Sequence, residues 1–226
     1  MQLEPHDIHI WLIDLAISDI DESKQIAALS QDERERAERF HAPIHRKRFI
    51  ATRFALRKIL SDYLSVSAQV IRFNYNEYGK PSLDLTIEQS LPIQFNITHS
   101  DDMALCALTL NHAIGIDIEK MIERSYLDIA KRFYSPQENQ ALATLPPHKQ
   151  MAGFYRLWAR KEALAKAIGK GLQFSLADFS VSADAVTETI VAENKTWTIM
   201  SLDIPSDYQA ALASDQTINN VLVWKF

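Results

Sequence analysis

Gly115-Ile116-Asp117-Ile118-Glu119 alternates apolar and acidic side chains, which predicts a β-strand with one buried face. Asp117 and Glu119 share the other face, and they lie about 6.6 Å apart because each residue of a strand rises about 3.3 Å. Carboxylates at this spacing can converge on one hard divalent cation such as Mg²⁺. Gly115 shares their face and would leave room for a ligand. An ordinary strand with a solvated acidic face explains the same pattern, so both interpretations stay open.

The chain on either side of this strand predicts helices mixed with a few strands, without the regular βαβα alternation of a doubly wound sheet. Strands are predicted at 9–13, 70–75, 94–97, 104–110, 113–119, 178–182, 195–202, 208–213 and 220–226, and helices at about 31–40, 45–64, 126–133, from 135 onward, and 150–168. Turns are predicted around Gly79 and Pro92. We therefore expect an α+β fold with two similar-sized lobes, residues 1–110 and 111–226.

A second group of polar residues lies on the helix predicted at 150–168. Within Trp158-Ala159-Arg160-Lys161-Glu162-Ala163-Leu164-Ala165-Lys166-Ala167, Glu162 precedes Lys166 by four residues, the order that stabilises a helix. Glu162 is a candidate third metal ligand or general base, and Lys166 a candidate clamp for phosphate oxygens. The alternative is a surface ion pair of little energetic value, with Trp158 in the core.

Asn96-Ile97-Thr98-His99-Ser100 leaves a predicted strand and enters a polar turn. Thr98 and His99 are candidates to hold a phosphate or a ribose, although a histidine satisfied by backbone groups is equally compatible. The chain has no Gly-x-Ser-x-Gly elbow, so a serine hydrolase is a poor fit. Its seven histidines are scattered, with no helical His pair near a third ligand, which leaves a histidine zinc site unsupported.

The segment 45–58 is locally basic and holds no acid. Its cations are Arg46, Lys47, Arg48, Arg53, Arg57 and Lys58. In an acidic protein such a segment indicates an anion site; a nucleic-acid patch and a solvated helix face are the alternatives. Arg53 and Arg57 are one helical turn apart and could share one target. Gly79-Lys80-Pro81 adds a cation on a rigid turn.

Composition limits the class of protein. The chain has 226 residues, 47% of them hydrophobic and 23% charged, with five Gly and eight Pro, which excludes a disordered or collagenous chain. Its 24 basic and 29 acidic residues give a net charge of −5, which opposes a nucleic-acid-binding role. The single cysteine, Cys106, excludes an internal disulfide and suits a reducing compartment. No apolar run approaches the roughly 20 residues of a membrane span, so we expect a cytoplasmic protein without membrane contact.

Taken in order, these segments resemble the Sfp-type 4′-phosphopantetheinyl transferases. The matching segments are Tyr78-Gly79-Lys80-Pro81, Phe95-Asn96-Ile97-Thr98-His99-Ser100, Gly115-Ile116-Asp117-Ile118-Glu119-Lys120, Ala130-Lys131-Arg132-Phe133-Tyr134-Ser135, residues 158–167, and Gly169-Lys170-Gly171-Leu172. The resemblance covers about residues 29–182. It implies two α+β lobes related by a pseudo-twofold axis, with coenzyme A in the cleft between them. It also implies transfer of the 4′-phosphopantetheine arm to a serine of an acyl or peptidyl carrier protein, releasing adenosine 3′,5′-bisphosphate.

The resemblance also implies roles for single residues. Asp117, Glu119 and Glu162 would hold Mg²⁺ against the pyrophosphate, with Asp117, Glu162 and Lys166 as the catalytic group. Lys166 would neutralise pyrophosphate charge, and Glu162 would be a ligand, the base for the carrier serine, or both. The nucleotide would be held by Thr98, His99, the Gly79-Lys80-Pro81 turn, and Arg48 or, preferentially, Arg53.

One departure from the family pattern concerns the first helix. Some relatives place cations there, where this chain has Glu33 and Arg36. A non-catalytic module that binds coenzyme A or a carrier protein is the alternative, although all three acids are present. A monomer is expected, because two lobes of one chain supply both sides of the cleft.

Overall fold

The computed structural model describes residues 2–16, 21–84 and 92–226. Its helices are α1 (Glu22–Ala28), α2 (Gln31–Glu38), α3 (Pro43–Leu64), α4 (Tyr126–Phe133), α5 (Pro136–Thr144) and α6 (Pro147–Ile168). Its strands are β1 (Asp7–Asp14), β2 (Phe73–Tyr75), β3 (Pro81–Leu83), β4 (Ile93–Ser100), β5 (Met103–Leu110), β6 (Ile114–Lys120), β7 (Thr187–Ala192), β8 (Lys195–Ser201), β9 (Tyr208–Ser214) and β10 (Asn220–Lys225). The fold is α+β, as predicted. Within the described ranges, no helix is both long enough and apolar enough to cross a membrane.

Two four-stranded sheets organise the chain. The first has the order β10-β1-β5-β4 and the second β6-β9-β8-β7, while β2 and β3 form a separate hairpin. Neighbouring strands are antiparallel except β10, which runs parallel to β1. The last strand of the chain therefore completes the first sheet. The proposed division at residues 110 and 111 does not describe residues 220–225, which lie with the N-terminal lobe.

Alternation along the strands divides the core into layers. Ile8 and Ile10 of β1 join Ile116 and Ile118 of β6 in a cluster between the two sheets. The other face of the first sheet shares a core with α3, and the other face of the second sheet shares one with α6. Because side chains of a strand alternate in direction, Asp117 and Glu119 lie on the α6 side of β6.

The two long helices were predicted from periodicity, and the sequence marks their ends. α3 and α6 each span 22 residues, begin with a proline at the first helical position, and end in a left-handed residue, Ser65 and Gly169. In α3, Leu56, Ile59, Leu60 and Tyr63 recur at helical spacing and are buried. The similar helices and sheets give each lobe the same basic construction.

Several predicted elements differ from the structure. The strand predicted at 178–182 is wrong: the amides of Val181 and Ser182 donate to the carboxylates of Glu138 and Glu188, both at 2.8 Å, and not to another strand. The strand predicted at 70–75 is confined to Phe73–Tyr75, and α1, β3 and β7 were missed. The loop predicted before Gln94 lies partly in residues 85–91, outside the described ranges.

Gly115 has a different role from the one predicted. A Cβ atom there would lie 2.1 Å from the Ala163 carbonyl oxygen and 2.3 Å from the Ala167 amide nitrogen. The missing side chain therefore leaves room for the backbone of α6 and not for a ligand. This close contact sets the distance between β6 and the helix that carries Glu162 and Lys166.

Candidate active site

β4 and β6 are the facing edge strands of the two sheets, and side chains of β4 join them. The Asn96 side-chain oxygen accepts the Ile116 amide at 2.9 Å, and the Ser100 hydroxyl accepts the Lys120 amide at 3.0 Å. These bonds give partners to two backbone amides on the edge of β6 that has no neighbouring strand in the described part of the chain. They also fix Asp117 and Glu119 opposite Thr98 and Ser100.

Asp117 lies at the centre of this seam and is 3% exposed. Its Oδ1 atom accepts hydrogen bonds from Lys166 Nζ at 2.5 Å and from the Thr98 hydroxyl at 3.2 Å. Lys166 Nζ also donates to the Thr98 hydroxyl at 2.9 Å. Burial raises the pKa of Asp117, and the charge of Lys166 opposes that rise. The second oxygen, Oδ2, is buried without a hydrogen-bond partner.

The other two predicted metal ligands lie close enough to feel the charge of Asp117. Burial and the Asp117 carboxylate raise the pKa of Glu119 to about 7, and the same two causes raise the pKa of Glu162. Within the described ranges, no three His, Cys, Asp or Glu side chains are arranged to hold one metal ion. The structure thus gathers the three acids into one region without arranging them as ligands of a common ion.

A cavity of about 570 Å³ opens beside these acids, between the two lobes. The N-terminal lobe contributes the turn at Tyr78–Pro81 and the strand residues Asn96 and Ile97. From α6 come Glu162 and Lys166. An apolar wall completes the cavity, and it includes Phe133, Trp158, Phe174 and Leu176. The volume is typical of a small-molecule site, with charged groups on one side and apolar side chains on the other.

The predicted nucleotide-binding residues divide between the cavity and its surroundings. Gly79, Lys80 and Pro81 line the cavity, and Lys80 Nζ donates to the carbonyls of Ile114 and Ala167 at 3.0 and 3.1 Å. His99 follows Thr98 at the seam. Loss of water around its ring and the charges of Lys166 and Arg48 lower the pKa of His99.

Arg48 and Arg53 are not among the residues that line the cavity. Arg48 bonds the β4–β5 turn through Asp101 at 2.5 Å and Asp102 at 2.7 Å. The Arg53 guanidinium is 2.5 Å from the Glu33 carboxylate and donates to the Tyr75 hydroxyl at 3.0 Å. The structure therefore places Arg53, the residue preferred for the 3′-phosphate, in a buried ion pair.

Glu33 explains this placement. The same carboxylate accepts from Arg57 at 2.5 Å and from the Ser30 amide, and the latter bond belongs to the capping box of α2. One buried carboxylate thus forms ion pairs with both arginines that α3 directs inward. A signal was present in the sequence, because Glu33 and Arg36 stand in the helix where the family resemblance leads us to expect cations.

Lys161 is a functional candidate that the sequence reasoning missed. It is fully buried, 2.9 Å from the Glu138 carboxylate, and it donates to the carbonyls of Leu176 and Phe179 at 2.6 Å. It therefore holds the segment that forms the apolar wall of the cavity. Its spacing of three and four residues from Leu164 and Leu157 could have identified it, because that spacing places Lys161 on the buried face of α6.

Comparison with known proteins covers both lobes. A model of the 4′-phosphopantetheinyl transferase superfamily matches residues 113–213, and a model described as 4′-phosphopantetheinyl transferase, N-terminal, matches residues 19–111. The 4′-phosphopantetheinyl transferase HetI of Nostoc sp. (strain PCC 7120) is 38% identical over 205 residues, 89% of this chain and 84% of that protein. The 4′-phosphopantetheinyl transferase Sfp of Bacillus subtilis (strain 168) is 35% identical over 170 residues, covering 75% and 73%.

A more distant relative extends the likeness beyond bacteria. The L-aminoadipate-semialdehyde dehydrogenase-phosphopantetheinyl transferase of Xenopus laevis is 27% identical over 201 residues, 80% of this chain and 67% of that protein. The matches span both sheets and the seam between β4 and β6, where Asp117, Thr98 and Lys166 meet. On this likeness, which covers most of the chain and most of each relative, the chain belongs to the 4′-phosphopantetheinyl transferase superfamily.

Proposed function

We propose that this protein transfers the 4′-phosphopantetheine group of coenzyme A to a serine hydroxyl of an apo acyl carrier or peptidyl carrier protein. The observation that carries the proposal is the cluster of Asp117, Thr98 and Lys166 beside a cavity that Lys166 and Glu162 line. Membership of the superfamily supports the same reaction.

The reaction exchanges one phosphorus–oxygen bond for another. The serine oxygen attacks the phosphorus that carries the pantetheine arm, and the bond from that phosphorus to the bridging oxygen of the diphosphate breaks. The leaving group is adenosine 3′,5′-bisphosphate, and the serine proton must pass to a base. Little covalent chemistry is required of the protein, so positioning and charge stabilisation dominate.

Glu162 is the proposed base. It lines the cavity, and burial together with the Asp117 charge raises the pKa of Glu162, which makes its carboxylate a better proton acceptor. Lys166, four residues later on the same helix, supplies positive charge for the diphosphate oxygens. Its ammonium is held by Asp117 and Thr98, so it is already directed at the seam.

The donor atoms at this site are chemically suited to Mg²⁺. Asp117 Oδ2 is a buried oxygen without a partner, and burial together with the Asp117 charge raises the pKa of both Glu119 and Glu162. Mg²⁺ is usually held by one or two carboxylates together with substrate phosphates, not by a complete protein cage. Asp117 Oδ2, with Glu119 or Glu162, would therefore hold the ion together with phosphate oxygens of coenzyme A, and the ion would neutralise charge on those oxygens.

Coenzyme A would lie across the cavity with its two ends in different surroundings. The backbone of the Gly79–Pro81 turn lines the cavity and would face the adenosine end. Thr98 and His99 of β4 would lie at the edge of this end, outside the residues that line the cavity. The apolar wall at Phe133, Trp158 and Phe174 would take the pantetheine arm. Arg53 is not part of this proposal, because it lies in a buried ion pair with Glu33 and does not line the cavity.

The carrier protein would dock on α4. Leu127 is 43% exposed on this helix, Lys131 and Arg132 are exposed beside it, and Arg132 also lines the cavity. An apolar side chain next to two cations suits an acidic carrier domain. A monomer in a reducing, cytoplasmic setting belongs to the same proposal.

The deciding experiment is loading of an apo-carrier protein in the presence of coenzyme A and Mg²⁺, followed by intact-mass spectrometry. We expect the wild type and the surface control Glu35→Gln to add one phosphopantetheine per carrier. Asp117→Ala and Glu162→Gln should each reduce the rate by about 10³-fold or more, the scale of losing a central charge or base. Near-normal loading by either variant would contradict its assignment, and no loading by the wild type would contradict the reaction.

A further inference from the structure

The C-terminal end of α6 is capped by side chains of the other lobe. The last carbonyls of a helix lack partners within the helix, so they require donors from elsewhere. Lys80 Nζ donates to the Ala167 carbonyl at 3.1 Å and to the Ile114 carbonyl of β6 at 3.0 Å. Asn76 donates from its side-chain nitrogen to the Gly169 carbonyl at 2.9 Å.

Asn76 and Lys80 belong to one tight turn, which we call the 76–80 turn. The Asn76 side-chain oxygen accepts the amides of Tyr78 and Lys80 at 3.0 and 2.8 Å, and the Asn76 amide donates to the Lys80 carbonyl at 3.1 Å. Gly79 has a φ of 83°, in the left-handed region that favours glycine. The turn is therefore stiff, and the two donors to α6 move together.

Gly169 permits this close approach. A Cβ atom at Gly169 would lie 3.2 Å from Lys80 Cδ and 3.4 Å from Asn76 Nδ2, and its φ of 81° also disfavours other residues. The Lys80 ammonium is well placed electrostatically, because the carbonyl end of a helix attracts cations. Both hydrogen bonds of its ammonium are to carbonyl oxygens of the C-terminal lobe, and both would also form with an uncharged amine.

The structure assigns Lys80 as a positioning residue that fastens the 76–80 turn to the end of α6. α6 also carries Glu162 and Lys166, so this fastening sets the width of the cavity between the turn and those two side chains. Lys80 thus acts on the nucleotide through the backbone of the turn and not through a charge placed on a phosphate. Where it concerns the nucleotide, the inference rests on the proposed function.

A phosphate-binding lysine and a positioning lysine predict different effects on the binding of coenzyme A and of 3′-dephospho-coenzyme A. A lysine that bound the 3′-phosphate would matter for coenzyme A and not for 3′-dephospho-coenzyme A. A lysine that positions the turn matters equally for both, and Asn76, which has no charge to give, must behave in the same way. The comparison therefore uses Lys80→Met and Asn76→Ala, with Ser82→Ala, an exposed residue of β3, as the control.

The first measurement is carrier loading with each of the two cofactors. We expect Lys80→Met to raise KM about tenfold for both, Asn76→Ala to raise both by a smaller and equal factor, and KM for the carrier to stay unchanged. Ser82→Ala should match the wild type. If Lys80→Met raised KM for coenzyme A alone, Lys80 would be a phosphate ligand and the inference would be overturned. Unchanged KM values for both cofactors would also overturn it.

The second measurement is hydrogen–deuterium exchange of the substrate-free protein. We expect faster exchange in residues 76–81 and 166–171 of both Lys80→Met and Asn76→Ala, and wild-type exchange in Ser82→Ala. Unchanged exchange in the two variants would overturn the fastening. This measurement needs no substrate, so it tests the inference even if the wild type loads no carrier. If Lys80→Met does not fold, the milder Asn76→Ala provides the same test.

Discussion

Lys166 bonds two oxygens of the seam at once, Asp117 Oδ1 and the Thr98 hydroxyl. In this arrangement the ammonium neutralises the same carboxylate that the proposed metal would need. Its side chain is 30% exposed, so it has room to leave Asp117. The Lys166 ammonium and a metal ion would repel each other at the Asp117 carboxylate, so we expect them to compete for it.

We therefore expect Lys166→Met to bind Mn²⁺, without coenzyme A, about tenfold more tightly than the wild type, a free-energy difference of about 1.4 kcal/mol. Electron paramagnetic resonance of free Mn²⁺ during a titration at pH 8 measures this directly. Lys131→Met, which removes an exposed lysine of α4, is the control and should bind like the wild type. Equal or weaker binding by Lys166→Met would contradict the competition.

At the scale of single residues, the sequence predicted which side chains lie together when they belong to the same strand or the same helix. Asp117 and Glu119 share a face because strand side chains alternate, and Glu162 and Lys166 share a face because they are four apart on a helix. Arg53 could not be placed in this way. Its partner Glu33 lies 20 residues earlier on another helix, and only the packing of α2 against α3 brings them together.

At the scale of elements, the contact between β6 and α6 depends on Gly115. We expect Gly115→Ala to lower the free energy of unfolding by about 3 kcal/mol or more, because the new methyl group would overlap backbone atoms that cannot rotate away. Urea denaturation measures the loss. Gly153→Ala is a comparison within α6: its Cβ would meet the Leu145 side chain at 2.5 Å, which can move, so a smaller loss is expected. Equal stability of Gly115→Ala and the wild type would contradict the close packing.

α4 gives a separate prediction about the carrier protein. Leu127→Asp puts a negative charge in the proposed docking surface, so it should raise KM for the carrier at least about tenfold and leave KM for coenzyme A unchanged. Steady-state loading with each substrate varied in turn measures both constants. Val191→Asp, on the exposed strand β7, is the matched control. An unchanged KM for the carrier in Leu127→Asp would place docking elsewhere.

Elements were predictable where periodicity and end signals agreed. α6 has both, because Pro147 begins the helix and Gly169, which accepts the left-handed conformation, ends it. β7 was missed because its hairpin with β8 turns through Glu193 and Asn194 at positive φ, not through the glycine that usually marks such turns. Residues 178–182 alternate like a strand, but glutamate side chains from α5 and β7 take the amides of Val181 and Ser182.

At the scale of the whole molecule, the titration of Lys80, which links the two lobes, makes the free energy of unfolding depend on pH. Burial lowers its pKa from 10.5 to about 8. Between these values the unfolded chain binds a proton that the folded protein does not, so the free energy of unfolding rises with pH in this window. The penalty for charging the buried amine is complete below pH 8 and disappears above pH 10.5.

We therefore expect the unfolding free energy of the wild type, relative to Lys80→Met, to increase from pH 8 to pH 10.5 by up to about 3 kcal/mol. Denaturation in urea at pH 7.5, 9 and 10.5 gives the difference, in which groups common to both proteins cancel. A difference that stays level, or that falls as pH rises, would show that the ammonium is not desolvated at the end of α6.

The return of β10 to β1 pairs Asp7 with Asn220 and Leu12 with Lys225. Trp224 stacks on Trp11 there, with ring centroids 5.7 Å apart. A ribosome must therefore translate more than two hundred codons between the first strand and its outer neighbour. Until residues 220–225 emerge, the nascent N-terminal lobe has an unpaired strand at its margin, available to chaperones or to other nascent chains. Moving that last strand ahead of residue 7 by circular permutation would let the first sheet assemble while synthesis is still under way.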